Sequence, residues 1–399
     1  MTVSFDPDRP LAIHPLTFLD EGDDVTVGRP DTNSFAVLPA DGAALLRLLQ
    51  DGRSPRQGKV GYAEQYGEDV DIDEFLAVLD ELDLLVKDGE QAAPSGRLRW
   101  QRLGRAMFSP VAWVCYALLV VATVALFFVW PNSVPRYGNL FFTQYLVLLE
   151  LGLFLGQMPL ILIHEAFHAL AGRRLGLSSS LHIGRRFYFI VFETALDGLV
   201  VVPRRRRYLP ILAGMLADVL VLCLLTLTAY GLRDVAPFAA RLLLALAFAT
   251  LLRLTWQCYV FLRTDIYYLI VTVIGCVDLH TTAHGLLRNR VNRILGRNDR
   301  IVPESTWHPR DLAVARWYSW LMVAGYAFLI GIAATAVVPA TVRMARIVIS
   351  RFHGAQSFAN IADVAVFLGL NVLQLVLAIA LAVRDRRRGP TNVAEPAAA

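Results

Sequence analysis

The stretch ILIHEAFHAL, residues 161–170, sets two histidines and a glutamate in a run otherwise fit for lipid. Within it, HEAFH at 164–168 has the spacing HExxH. On a helix, positions i and i+4 share a face, so His164 and His168 can aim a ring nitrogen at one cation while Glu165 lies alongside to take a proton from water. Ionisable groups near the middle of a membrane helix cost on the order of 2.5 to 3.5 kcal/mol each, so three within about one turn point to a metal site. The bland alternative is a hydrogen-bonded structural pair. Whether this helix lies in a membrane therefore bears on both the fold and the chemistry.

Composition favours the membrane. The chain has 399 residues, is 56% hydrophobic and has a mean hydropathy of +0.49, too apolar for an ordinary soluble protein of this length. Its formal net charge of +4 hides an asymmetry. Residues 1–96 carry 7 basic and 20 acidic side chains, leaving 31 basic and 14 acidic afterwards. Two differently built parts follow from that split. The arginines of the second part flank apolar segments instead of lining one polar face, which suits anionic lipid and argues against nucleic acid. The start MTVSFDPDRPLAIHPLTF has neither the basic opening nor the apolar core of a cleavable signal, so the N-terminal part is expected in the cytoplasm. Cys115, Cys223, Cys258 and Cys276 fall in apolar runs without CxxC spacing and read as small core residues.

Apolar spans are expected at about 110–130, 140–171, 209–231, 237–262, 313–339 and 360–383, each near or above the roughly 20 residues a bilayer core requires. Arg97, Arg99, Arg102 and Arg105 precede the first; Arg173, Arg174, Arg185, Arg186 and the run PRRRRY follow the second. Arg288 to Arg300 precede the fifth and RDRRR follows the sixth. About six crossings put these clusters, and both termini, on the cytoplasmic side of a bacterial-type membrane. The segment TDIYYLIVTVIGCVDL, 264–279, is apolar but short, and is expected to re-enter or lie at the interface. Arg343, Arg346 and Arg351 in the outer loop at 340–358 run against the positive-inside rule.

Before the membrane part, 1–96 reads as a small domain and linker. DDVTVGRPDTNSFAVLP gives two short strands around a turn at RPDTNS. Asp41-Gly42 is expected to cap a helix through AALLRLLQDG, a second helix falls in SPRQGKVGYAEQYGED, and a third in VDIDEFLAVLDELDLLV, with Phe75, Leu76, Leu79 and Leu82 at helical spacing. The polar stretch GEQAAPSGRLRWQRLGR links the two parts, and 390–399 is expected to be a disordered tail. The expected fold is mainly α: a polytopic helical membrane domain at 97–389, of about six transmembrane helices plus a re-entrant segment, behind a small α+β winged-helix-like domain.

Over residues 14–88 this order of hairpin and helices resembles the PqqD-like domains of ribosomal peptide modification pathways. The resemblance implies a leader peptide added as a strand to the hairpin edge. A small helical domain serving regulation or assembly is the other reading.

Two histidines need a third ligand. The candidates are Glu193, Asp197, Asp218, Asp265, His280 and His284. At about 1.5 Å per residue, His168 and His164 lie roughly 5 and 10 Å inside the cytoplasmic end of the second span. Asp265, which opens the re-entrant segment, can reach that depth. His280 and His284 read as a solvated pair beside a basic loop, and Arg204 to Arg207 as a solvated, lipid-facing run. Asp218 and Arg253 each lie roughly 13 Å into their spans, as a buried ion pair or as groups supporting the site.

LIHEAFHALAGRRLG, then FYFIVFETALDGLVVV, LAGMLADVL and FLRTDIYYLI, together resemble the site-2 protease family of membrane zinc metallopeptidases, on its peptide zinc metalloprotease branch. The likeness covers about 140–285. It implies Zn2+ held by His164, His168 and Asp265, with Glu165 activating water for hydrolysis of a peptide or membrane-protein substrate. Ile266 departs from the pattern, since the family aspartate is usually followed by glycine. A peptide-binding or export component on an inactive protease-like scaffold, and regulated cleavage of a membrane signalling protein, are the rival functions.

Overall fold

The computed structural model describes residues 6–21, 24–29, 34–86, 99–186, 189–332 and 358–388, with Ala334, Val342, Arg346 and Ile349. The turn tip at 30–33, most of the linker, Arg343, Arg351 and the tail lie outside the described residues.

The N-terminal sheet has three antiparallel strands, β1 (Thr17–Glu21), β2 (Asp24–Arg29) and β3 (Ser34–Pro39), in the order β1-β2-β3. β2 and β3 are the expected hairpin; β1 adds TFLDE to it. Three helices follow: α1 (Ala40–Gln50), α2 (Pro55–Tyr66) and α3 (Ile72–Glu81). Asp41 does not cap α1. It sits in the first turn and accepts a hydrogen bond from the Tyr62 hydroxyl on α2 at 2.6 Å. Ser54 and Gln57 form a reciprocal capping box on α2, and Asp71 accepts from the amides of Asp73 and Glu74 to start α3. Val25, Val27, Leu45, Leu46, Leu49, Leu76 and Leu79 fill the small core. The chain closes where His14 N–H donates to Leu84 and Val86 N–H to Ala12.

Part of the expected linker is helical. α4 (Gln101–Met107) lies directly on α6 (Leu146–Arg174): a Cβ at Gly104 would fall 2.4 Å from the Leu170 carbonyl oxygen, so only glycine permits the approach. α5 (Pro110–Val129), α6, α7 (Arg204–Leu232), α8 (Pro237–Trp256) and α11 (Pro309–Ile332) are long and apolar enough to cross a membrane. Between them, α9 (Asp265–Ile274) turns by 92° into α10 (Leu279–Ile294), and counting that bent pair as one span would make six. α12 runs from Phe358 to Arg388, with an apolar part, Asn360–Gln374, shorter than a span. Its Asp363 carboxylate accepts from the amides of Leu146 and Val147 at 2.8 and 3.0 Å, satisfying orphan donors at the α6 N-terminus.

The FYFIVFETALDGLVVV run supplies β5 (Phe189–Asp197), paired antiparallel with β4 (Ser178–Arg186), which no sequence pattern had marked as a strand. A short 3-10 turn at Leu199–Val201 then leads into α7. Arg207 is not a solvated, lipid-facing residue. It is 8% exposed and donates to the carbonyls of Val200 and Val202, pinning that turn.

Candidate metal centre

α6 and α7 pack together, and the α7 face at 210, 214 and 218 lies against the α6 face carrying His164 and His168. The Nε2 atoms of His164 and His168 converge to 3.2 Å. Oδ2 of Asp265, at the first position of α9, faces both Nε2 atoms at 3.4 Å. These three side chains are the one His/Cys/Asp/Glu group among the described residues whose ligand atoms fit a single cation, all lying within 4.8 Å of one another.

The opposite ring nitrogens orient the pair. Nδ1 of His168 lies 2.8 Å from the Pro210 carbonyl, and Nδ1 of His164 lies 3.1 Å from Oδ2 of Asp218. Both partners are acceptors, so each Nδ1 carries the proton and each Nε2 turns a lone pair toward the shared point. Asp265 Oδ2 is buried and accepts no hydrogen bond. Such an atom is costly unless a cation completes it. Gly214 keeps the space open: a Cβ there would lie 2.2 Å from Nε2 of His168 and 2.4 Å from Nε2 of His164. Two imidazole nitrogens and one carboxylate oxygen facing one point make a donor set able to hold a metal ion.

Glu165 is 8% exposed, and its Oε1 lies 4.0 Å from Nε2 of His164. From β5, the Thr194 hydroxyl lies 2.8 Å from Oε2 and 3.1 Å from the Glu165 carbonyl oxygen, tying the carboxylate to the sheet edge. Asp265 is fixed through its backbone. Gln257, 7% exposed, accepts from the Asp265 amide at 3.0 Å, and Thr264 donates to the Gln257 carbonyl at 2.7 Å. Ile266 falls within the first turn of α9 and does not keep Asp265 from the pair.

Asp218 and Arg253 form a buried ion pair, and Asp218 also faces His164. Asp218 is fully buried and receives Nε of Arg253 at 3.0 and 3.1 Å while facing His164. Arg253 in turn donates to Oε1 of Gln157 at 2.9 Å, and Gln157 donates to the Leu246 carbonyl at 3.1 Å. The ion pair across α7 and α8 thus ends on a candidate ligand, with its polar atoms satisfied.

His280 and His284 meet edge to face with centroids 4.7 Å apart, and His280 packs near Tyr267 and Tyr318, outside the cluster. The side chains of Glu193 and Asp197 lie outside the described residues. Sequence reasoning missed Thr194, Pro210, Gly214, Gln157 and Gln257; Thr194 and Gly214 stand in the quoted segments FYFIVFETALDGLVVV and LAGMLADVL, but nothing local marks them. Comparison with protein-family models, with curated proteins and with solved structures returns no significant match.

Proposed function

We propose that this chain is a membrane-embedded zinc metalloendopeptidase, similar to site-2 proteases, with His164, His168 and Asp265 as ligands and Glu165 as the proton-transfer group. The carrying observation is the convergence of two imidazole nitrogens and one orphaned carboxylate oxygen beside a glutamate held by Thr194. When bound, zinc would supply Lewis acidity toward a peptide carbonyl and a water molecule.

The chain's own residues do the rest. Asp218 and the Pro210 carbonyl hold the imidazoles in one tautomer. Thr194 occupies Oε2 of Glu165, leaving Oε1 on the His164 side to accept a proton from the attacking water and pass it to the leaving amine. Among the described pairings β5 has a partner on one edge only, so an extended substrate segment can add to the other.

The finer topology belongs to the same reading. α5, α6, α7, α8, α11 and α12 would cross and α9 would re-enter, with both termini in the cytoplasm; the basic clusters support this, as does Asp363 of α12 meeting the start of α6. β1 and β2 run beside the Leu199–Val201 turn, which supports a role for the acidic N-terminal domain in holding a leader peptide or other substrate near β5. Maturation of a ribosomal peptide is the substrate class this favours. Cleavage of a membrane signalling protein would use the same chemistry. An inactive carrier would have no use for a positioned Glu165.

The test is peptide cleavage by purified wild type and by Glu165→Gln. The proposal expects cleavage by the first alone, with metal retained in both, and equal cleavage by the two would sink it.

A further inference from the structure

A second built feature lies away from the histidines. Between α10 and α11 is a cavity of about 500 Å³ whose lining includes Arg290, Arg293, Arg316 and Trp320. Glu304 is the only carboxylate among its lining residues, so three guanidinium groups are set against one acid. Glu304 lies 3.4 Å from Arg316, leaving two charges of the three uncompensated there.

The cavity is preformed. Asn289, 5% exposed, exchanges two hydrogen bonds with the backbone of Val302 at 2.8 and 3.0 Å, and Asn292 donates to the Arg300 carbonyl at 3.1 Å. These fix the segment that carries Glu304. Arg290 donates to the Ser319 hydroxyl at 2.9 Å, and its guanidinium lies over the Trp320 ring at 4.8 Å. Arg293, in contrast, has an exposed side chain that makes no hydrogen bond or ion pair with the described residues.

The surroundings are apolar and exposed. Trp317 and Trp320 on α11 are 51% and 61% exposed, and Ile294 at the end of α10 is 83% exposed. α10 turns 92° away from α9, and tryptophans are enriched where membrane proteins meet the interfacial layer. A free phosphate would engage the arginines alone and have no contact with this apolar flank. An amphiphile satisfies both.

We propose that the cavity between α10 and α11 binds the phosphate of an anionic membrane phospholipid, its acyl chains lying against Trp317, Trp320 and Ile294. The assignment is independent of the peptidase reading.

The experiment reconstitutes the full chain in phosphatidylcholine vesicles containing a minor fraction of phosphatidylglycerol, with bromine on the acyl chains of one lipid or the other. The Trp320 signal is taken as the difference between wild type and Trp320→Phe. Brominated phosphatidylglycerol is expected to quench it beyond its share of the bilayer. Arg293→Gln is expected to lower that preference roughly five-fold, the weight of one basic side chain at an anionic surface. Arg293 makes no described structural contact, so its replacement tests the site without testing the fold, and Arg233→Gln, on the Tyr230 and Trp130 rings, should change nothing. Quenching in proportion to bulk composition, or an unchanged preference in Arg293→Gln, overturns the proposal. So does loss of the preference in millimolar inorganic phosphate at constant ionic strength, which would make the site one for the free anion.

Discussion

The Thr194 hydroxyl lies 2.8 Å from Oε2 of Glu165, joining the second strand of the β4–β5 hairpin to the glutamate of HEAFH. A hydrogen bond to a charged group contributes about 1.5 to 3 kcal/mol, and about 1.4 kcal/mol is tenfold in rate. Thr194→Val should therefore lower kcat/KM for peptide cleavage by roughly ten- to a hundred-fold while zinc content stays at the wild-type level. Thr194→Ser, which keeps the donor, should recover most of the loss. Equal activity in the valine and serine variants would remove Thr194 from the account.

Asp218 faces His164 with one side of its carboxylate and receives Arg253 with the other. Removing a carboxylate that orients a ligating histidine typically costs 10- to 100-fold in metal affinity, the loss expected for Asp218→Asn in a zinc titration. Arg253→Met should act differently. It strands a buried carboxylate and should destabilise the fold by about 3 to 5 kcal/mol, read as a lower midpoint of thermal unfolding in detergent. Pairing the two substitutions should restore much of that stability without restoring metal affinity.

Gly214 is placed by exclusion. A methyl group there would stand 2.2 and 2.4 Å from the two Nε2 atoms, so the imidazoles would have to turn away. Gly214→Ala should abolish zinc binding and cleavage while the helical circular dichroism of the chain is unchanged. An alanine variant that binds zinc normally would mean the histidines are oriented otherwise.

The N-terminal domain carries its own pH dependence. The Tyr62 hydroxyl beside Asp41 holds that carboxyl below its ordinary value, and the same hydrogen bond to Asp41 pushes Tyr62 up to about 12. The depressed carboxyl contributes stability present above about pH 4, the pKa of the unfolded group, and lost as pH falls through the folded value. The raised phenol contributes stability present below about pH 10 and lost as pH rises toward 12. The denaturant midpoint for unfolding of the N-terminal domain should fall at both extremes in wild type, and Tyr62→Phe should weaken both dependences.

The HExxH pair was legible because its geometry is local: four residues on one helix bring His164 and His168 to one side whatever surrounds them. Asp265 was legible by depth, since the start of a short apolar segment can share the level of the histidines. The rest of the centre depends on packing between distant segments. Nothing in LAGMLADVL marks Gly214 as the residue under two imidazoles, and the donor from Thr194 exists only because β5 passes Glu165. β1 and β4 were missed for a related reason, each being completed by a partner strand. Arg207 was misread because a run of four arginines looks uniformly solvated until a turn with free carbonyls, at Val200 and Val202, folds beneath one of them.

The proposed binding of one ion by His164, His168 and Asp265 is read most directly from the metal content of purified protein by elemental analysis across single substitutions. A single zinc per chain is expected in wild type and in Glu165→Gln, and its loss in His164→Ala, His168→Ala and Asp265→Ala. Zinc at the wild-type level in the Asp265→Ala and His168→Ala proteins would contradict it.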